Sequence, residues 1–106
     1  MKLIKENENI LSVLSKVSGI SEDRLKKRGP HHVSSWVHLG MYYAREEEGQ
    51  TLAAIGETFN RTFAGVHVGW RKVKKALQDP RFKDTIEENL EAIRKEVKKL
   101  KTNNET

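Results

Sequence analysis

Helix breakers at five places constrain this chain more than any other feature: Gly19, Gly29-Pro30, Gly49, Asn60 and Asp79-Pro80. Glycine and asparagine accept the left-handed backbone that ends a helix, and proline cannot continue one. Between these points apolar residues recur three or four apart, the period of an amphipathic helix. The chain is therefore expected to be all-α, with six helices.

The first helix carries Leu3, Ile10, Leu11, Val13, Leu14 and Val17, frayed at its start and stopped by Gly19. Ser21, followed by Glu22 and Asp23, reads as an N-cap with acids in the first turn, and this short helix runs out in Lys26-Lys27-Arg28. A third helix is expected from about His32 to Glu47, with Val33, Val37, Gly40, Met41 and Ala44 on one face beside Trp36. Thr51 can cap a short fourth helix whose Leu52, Ile55 and Phe59 point one way, and Asn60 suits a tight turn after it. The fifth helix puts Val66, Trp70, Val73 and Leu77 on one stripe and Ala64, Val68, Arg71 and Lys75 opposite, flanked by Arg61 and Lys72. Asp79 before Pro80 starts a sixth helix, with Ile86, Leu90, Ile93, Val97 and Leu100 in steps of four and three.

A chain of 106 residues suits one compact domain with a modest core. That domain is expected over residues 1–101, with 102–106 a disordered tail. Twenty Lys and Arg against 15 Asp and Glu give a net charge of +5, which favours anionic partners such as nucleic acid or an acidic protein surface. With no cysteine, disulfide scaffolds and thiolate zinc sites are excluded. Charges are scattered through Met1 to Leu14, so neither a signal peptide nor a membrane span is expected there. A cytoplasmic, nucleoid-associated protein is the expectation.

The fourth and fifth helices form the informative pair, spanning about residues 51–78. A short helix, a tight turn and a longer helix make a helix-turn-helix, whose second helix enters the major groove of duplex DNA while its back packs on the first. Arg61 to Lys75 contains five cations and no acid, so this surface can replace phosphate counterions. Thr62 is expected to cap the fifth helix. Ala64, Gly65 and Val68 lie on its inserted turns and offer shape or methyl contacts, with room for close approach. Phe63 either packs under the helix or touches a thymine methyl. Arg71, Lys72 and Lys75 are assigned to phosphates, and His31 and His32 are expected in the basic loop as polar or phosphate contacts.

Four segments in register resemble the carboxy-terminal DNA-binding domain of the bacterial replication initiator DnaA: Ile20 to Arg28, Gly40 to Glu46, Thr51 to Phe59 and Arg71 to Val73. Order and approximate spacing agree from about Ile10 to Leu100. The resemblance implies a six-helix, Trp-repressor-like fold whose fifth helix lies in the major groove, and a basic loop, here Lys26, Lys27 and Arg28 through Pro30, at the neighbouring minor groove. By position it makes Arg61 the arginine before the recognition helix, Arg45 a phosphate contact and Thr51 a helix start that meets phosphate through its backbone. A bidentate guanine contact is expected of Arg61, worth roughly 1–3 kcal/mol of discrimination.

Two departures weaken any carry-over of the initiator's own site. Thr62-Phe63-Ala64-Gly65 stands where the family has an Asp-His-Thr-Thr run, after a turn one residue shorter. Gly29, His31, Ser35 and Val37 stand where the family has several arginines. Sequence-selective duplex binding, in replication initiation or its regulation, is the leading expectation. Its rival is a degenerate initiator-like domain that contacts other proteins, replication proteins among them.

Other chemistry finds little support. The chain lacks a G-x-x-x-x-G-K-[ST] run, so no ATPase is expected. His31, His32, His38 and His67 lack H-x-x-x-H spacing and cysteine partners, so no metal site is expected. Tyr42, Tyr43, Trp36 and Trp70 read as core or partly exposed packing residues, and Glu46-Glu47-Glu48 as a solvated helix end. The expectation is a non-enzyme without cofactor, monomeric in the absence of DNA.

Overall fold

The computed structural model describes residues 6–104 in backbone and 10–100 in side chain. Leu3, placed on the first helix from the sequence, lies outside that range, as do Glu105 and Thr106. Six helices make up the described chain: α1 Glu6–Ser18, α2 Glu22–Leu25, α3 His31–Glu46, α4 Leu52–Phe59, α5 Phe63–Ala76 and α6 Pro80–Asn104. Among the described residues there is no β-strand, and no helix is long and apolar enough to cross a membrane.

The ends of these helices follow from local chemistry. Ser21 Oγ accepts the Arg24 amide at 3.3 Å, Thr51 Oγ1 that of Ala54 at 3.1 Å, and Thr62 Oγ1 that of Gly65 at 3.0 Å. Each hydroxyl satisfies one of the amides that a helix start leaves without a partner. Asp79 does the same at the start of α6, its Oδ1 accepting the Arg81 amide at 3.0 Å. Asn60 ends α4 in the left-handed region at φ 56° and ψ 50°. Gly49, at φ 68°, lets the Gln50 amide turn back to the Ala44 carbonyl at 3.0 Å and close α3.

Helix α3 is the hub, packing most extensively on α5 and also touching α1, α2, α4 and α6. Two glycines set how near its neighbours come. A Cβ at Gly69 of α5 would stand 2.7 Å from His38 Cδ2 and 2.8 Å from Met41 Sδ, and one at Gly40 of α3 would collide with Leu14 of α1. Around this contact the core gathers Leu14, Val37, Met41, Ile55, Phe59, Val66 and Ile93, all buried. The radius of gyration, 13.2 Å, is that of a compact domain of this length.

Helix α6 closes the fold. Leu90, Ile93 and Val97 are buried on the side facing α1, and Lys16 of α1 pairs with Glu96 at 3.3 Å.

Four placements differ from expectation. His31 belongs to the first turn of α3, because Pro30 N-caps that helix one residue earlier than the apolar pattern suggests. Its neighbour His32 is helical as well, so neither histidine is in the loop. Trp70 is half-buried at the edge of the core stripe, because the buried line of α5 runs through Val66, Gly69 and Val73. Finally, α6 continues to Asn104, so residues 102–104 are helical where a disordered tail was expected: nothing in Lys101 to Asn104 breaks a helix.

Candidate nucleic-acid interface

Helices α4 and α5 meet at the turn Asn60-Arg61-Thr62. The Arg61 amide donates to the Gly56 carbonyl at 2.8 Å, and a Cβ on Gly56 would lie 2.6 Å from the Arg61 carbonyl oxygen. The two helices can cross this tightly only because residue 56 has no side chain. With Ile55, Phe59, Val66 and Val73 buried on the inner side, the opposite side of α5 must face outward.

That outer side carries Ala64, Val68, Arg71, Lys72, Lys74 and Lys75, all exposed, with Gly65 half-buried among them. Phe63 is 63% exposed and Val68 52%. Phe63 therefore does not pack under the helix, and its ring is available at the end of α5 that carries Thr62. Thr62 is itself occupied as the cap.

The basic turn lies against this same end of α5. Arg28, His31, His38, Arg61, Ala64, Gly65, Val68 and Lys72 line one groove of about 630 Å³. Residues from three separate segments thus share a single concave surface. Lys26 and Lys27, on the same turn as Arg28, are exposed. Ion pairs among the described residues engage Lys16, Arg81, Arg94 and Lys99, while the cations of the turn and of α5 face solvent.

Arg61 departs most from its expected role. Its Nη1 donates to the carbonyls of Phe59 at 2.6 Å and Lys26 at 2.9 Å, and its Nη2 to that of Lys27 at 3.1 Å. Three of its donors are spent within the protein, and burial, with help from the nearby Arg28 charge, lowers its pKa. The guanidinium is not held ready for a guanine edge.

Arg45 and Thr51 are also partly committed. Arg45 Nη1 donates to the Gln50 carbonyl at 3.1 Å, which pins the end of α3. Thr51 uses its hydroxyl on α4, so only the backbone of that helix start remains for a phosphate.

The structure adds Lys74, Trp70 and His38 to the residues singled out from the sequence. Lys74 Nζ lies 5.0 Å from the centre of the Trp70 ring and the Arg45 guanidinium carbon 5.7 Å from it. The four-residue step from Trp70 to Lys74 was the available signal. His67 also meets Trp70, with ring centres 5.6 Å apart. His38 is half-buried under the groove, and its pKa is lowered first by burial and then by Lys72, Arg61 and His31. Its position on the α3 face toward α5 gives no sequence signal beyond helical period. His32 is exposed and does not line this groove. Among the described residues no three His, Cys, Asp or Glu side chains are grouped as a metal would require.

No protein-family model matches the chain, and no curated protein matches it.

Proposed function

We propose that the chain binds double-stranded DNA in a sequence-selective way, with α4 and α5 as its helix-turn-helix and α5 lying in the major groove. One observation carries the reading: Ala64, Gly65, Val68 and Lys72 of the outer side of α5 and Arg28 of the basic turn line a single groove, with Lys26 and Lys27 exposed on the same turn and Arg71, Lys74 and Lys75 farther along α5. A duplex presents two rows of phosphates flanking its bases, and such a surface meets both rows while Ala64, Gly65 and Val68 approach the base edges. The resemblance to the DnaA carboxy-terminal domain supports the same assignment of α5 and makes replication initiation, or its regulation, the process in view. The Ala64-Gly65-Val68 surface holds no hydrogen-bonding side chain, so specificity rests on shape and methyl contacts.

A protein-contact role has one feature in its favour. Trp36, Leu39, Val73, Phe82 and Ile86 line a second, largely apolar groove of about 410 Å³ beside Lys72, and Phe82 is 48% exposed.

Titration of a labelled duplex at several salt concentrations decides between the two. Each neutralised phosphate contributes about −0.9 to the slope of log K against log salt. The four exposed cations of α5 alone give about −4, and those of the turn bring it to about −6. Absence of duplex binding at low salt overturns the reading, and selection from a random pool identifies the preferred site.

A further inference from the structure

Arg61 sits two residues before α5 begins, and its side chain ties the basic turn to the end of α4. Its guanidinium takes one carbonyl from the last residue of α4, Phe59, and two from the turn, Lys26 and Lys27, 35 and 34 positions away in sequence. Among the described residues the other hydrogen bonds of the Lys26-Lys27 backbone stay within α2, to Glu22, Asp23 and Arg24. Helix α2 is a single turn anchored by buried Leu25 against α1 and α3, and beyond Leu25 these local bonds do not reach the α4–α5 junction, which the Arg61 guanidinium does.

The charges alone do not hold this arrangement. Lys26, Lys27 and Arg28 repel one another and the Arg61 guanidinium, and none of the four pairs with a carboxylate among the described residues. Attraction between the guanidinium and three carbonyl dipoles opposes that repulsion. A planar fork with several donors can serve three acceptors at once, whereas an ammonium, a compact point charge on a flexible stem, cannot reproduce that geometry.

Resting on the duplex-binding reading, we infer that Arg61 is a positioning residue: it holds the Lys26–Arg28 turn in fixed register with the start of α5, so that turn and helix meet one duplex together. Its influence on DNA binding then passes through three other cations rather than through a contact of its own.

Trypsin tests this in the free protein, without DNA. In Arg61→Ala, cleavage after Lys26, Lys27 and Arg28 should accelerate at least tenfold, while cleavage within α6, after Lys95 or Lys98, stays at the wild-type rate. Duplex titration then reads the consequence. Arg61→Ala should reduce the magnitude of the salt slope by about two to three, against about one for Lys75→Ala. Arg61→Lys keeps the charge and loses the fork, so it should behave like Arg61→Ala in both assays. In a background with Lys26, Lys27 and Arg28 all changed to alanine, Arg61→Ala should alter the slope by less than one.

Retention of both slope and protease resistance in Arg61→Lys, or a one-unit slope change with the turn still protected, overturns the inference. Should the variants unfold, which faster cleavage within α6 reveals, the wild-type protein supplies the answer by NMR. Arg61 guanidinium protons that are resolved and slowly exchanging support the tether, and rapid averaging overturns it. A wild-type protein that binds no duplex refutes the proposed function but leaves the protease and NMR results to judge Arg61.

Discussion

The indole Nε1 of Trp70 in α5 donates to Glu46 Oε2 at the end of α3, at 2.6 Å. This bond fixes a ring that two cations, Arg45 and Lys74, both face. Glu46 therefore brings a negative charge beside the cations of the surface proposed to meet phosphates. Glu46→Gln keeps an acceptor for the indole and removes the charge, so duplex affinity should rise about two- to fivefold, the effect of roughly 0.5–1 kcal/mol. Trp70→Phe loses the donor and should lower stability by about 1 kcal/mol. Duplex titration and urea unfolding measure the two effects.

The turn between α4 and α5 permits a sharper test, because two opposed effects act at Gly56. Replacing a helical glycine by alanine gains about 1 kcal/mol of helix propensity. Here the added Cβ meets the Arg61 carbonyl oxygen at 2.6 Å, and backbone cannot swing away as a flexible side chain can. Overpacking of this kind costs about 1–3 kcal/mol, so Gly56→Ala should be destabilising on balance. Asn60→Gly, at φ 56°, should be neutral or slightly stabilising, whereas Asn60→Ala should cost about 1 kcal/mol. Thermal unfolding of the three variants gives the ranking.

His38 makes stability depend on pH in a known direction. Its folded-state pKa lies below the ordinary 6.5, chiefly through burial and then through Lys72, Arg61 and His31. The folded protein thus binds a proton at this site less readily than the unfolded chain does. The stability it contributes is present above pH 6.5 and is lost as pH falls through the lowered folded-state value. Between pH 7.5 and 5 the wild type should lose more stability than His38→Gln, read as the difference in urea midpoints.

Helix α6 has an apolar seam that, alone, could pair with a second copy. In the fold Ile93 is fully buried and Leu90 and Val97 nearly so, which leaves little of the seam for a coiled coil. Sedimentation equilibrium at micromolar concentration, without DNA, should return the monomer mass. A concentration-independent dimer would contradict this packing.

Helix existence and most helix ends were determined by the sequence alone. Ser21, Thr51, Thr62 and Asp79 cap from within three residues, and Gly19, Gly49 and Asn60 end helices through their own backbone preferences, so each signal is complete within one turn of chain. The acid-free run from Arg61 to Lys75 was legible for the same reason. The tertiary structure alone decided where that positive charge is presented and which cations are spent. Arg61 was legible as a cation before α5, but two of its three partner carbonyls lie more than thirty residues away, brought near because α2 and α4 both pack on α1 and α3. Trp70 matches the core period, yet the buried line of α5 runs through Val66, Gly69 and Val73, which leaves Trp70 half-buried with its N–H donated to Glu46. Periodicity specifies the face on which a side chain lies, whereas its contacts depend on which atoms the other helices place there, and that information is distributed over the whole chain.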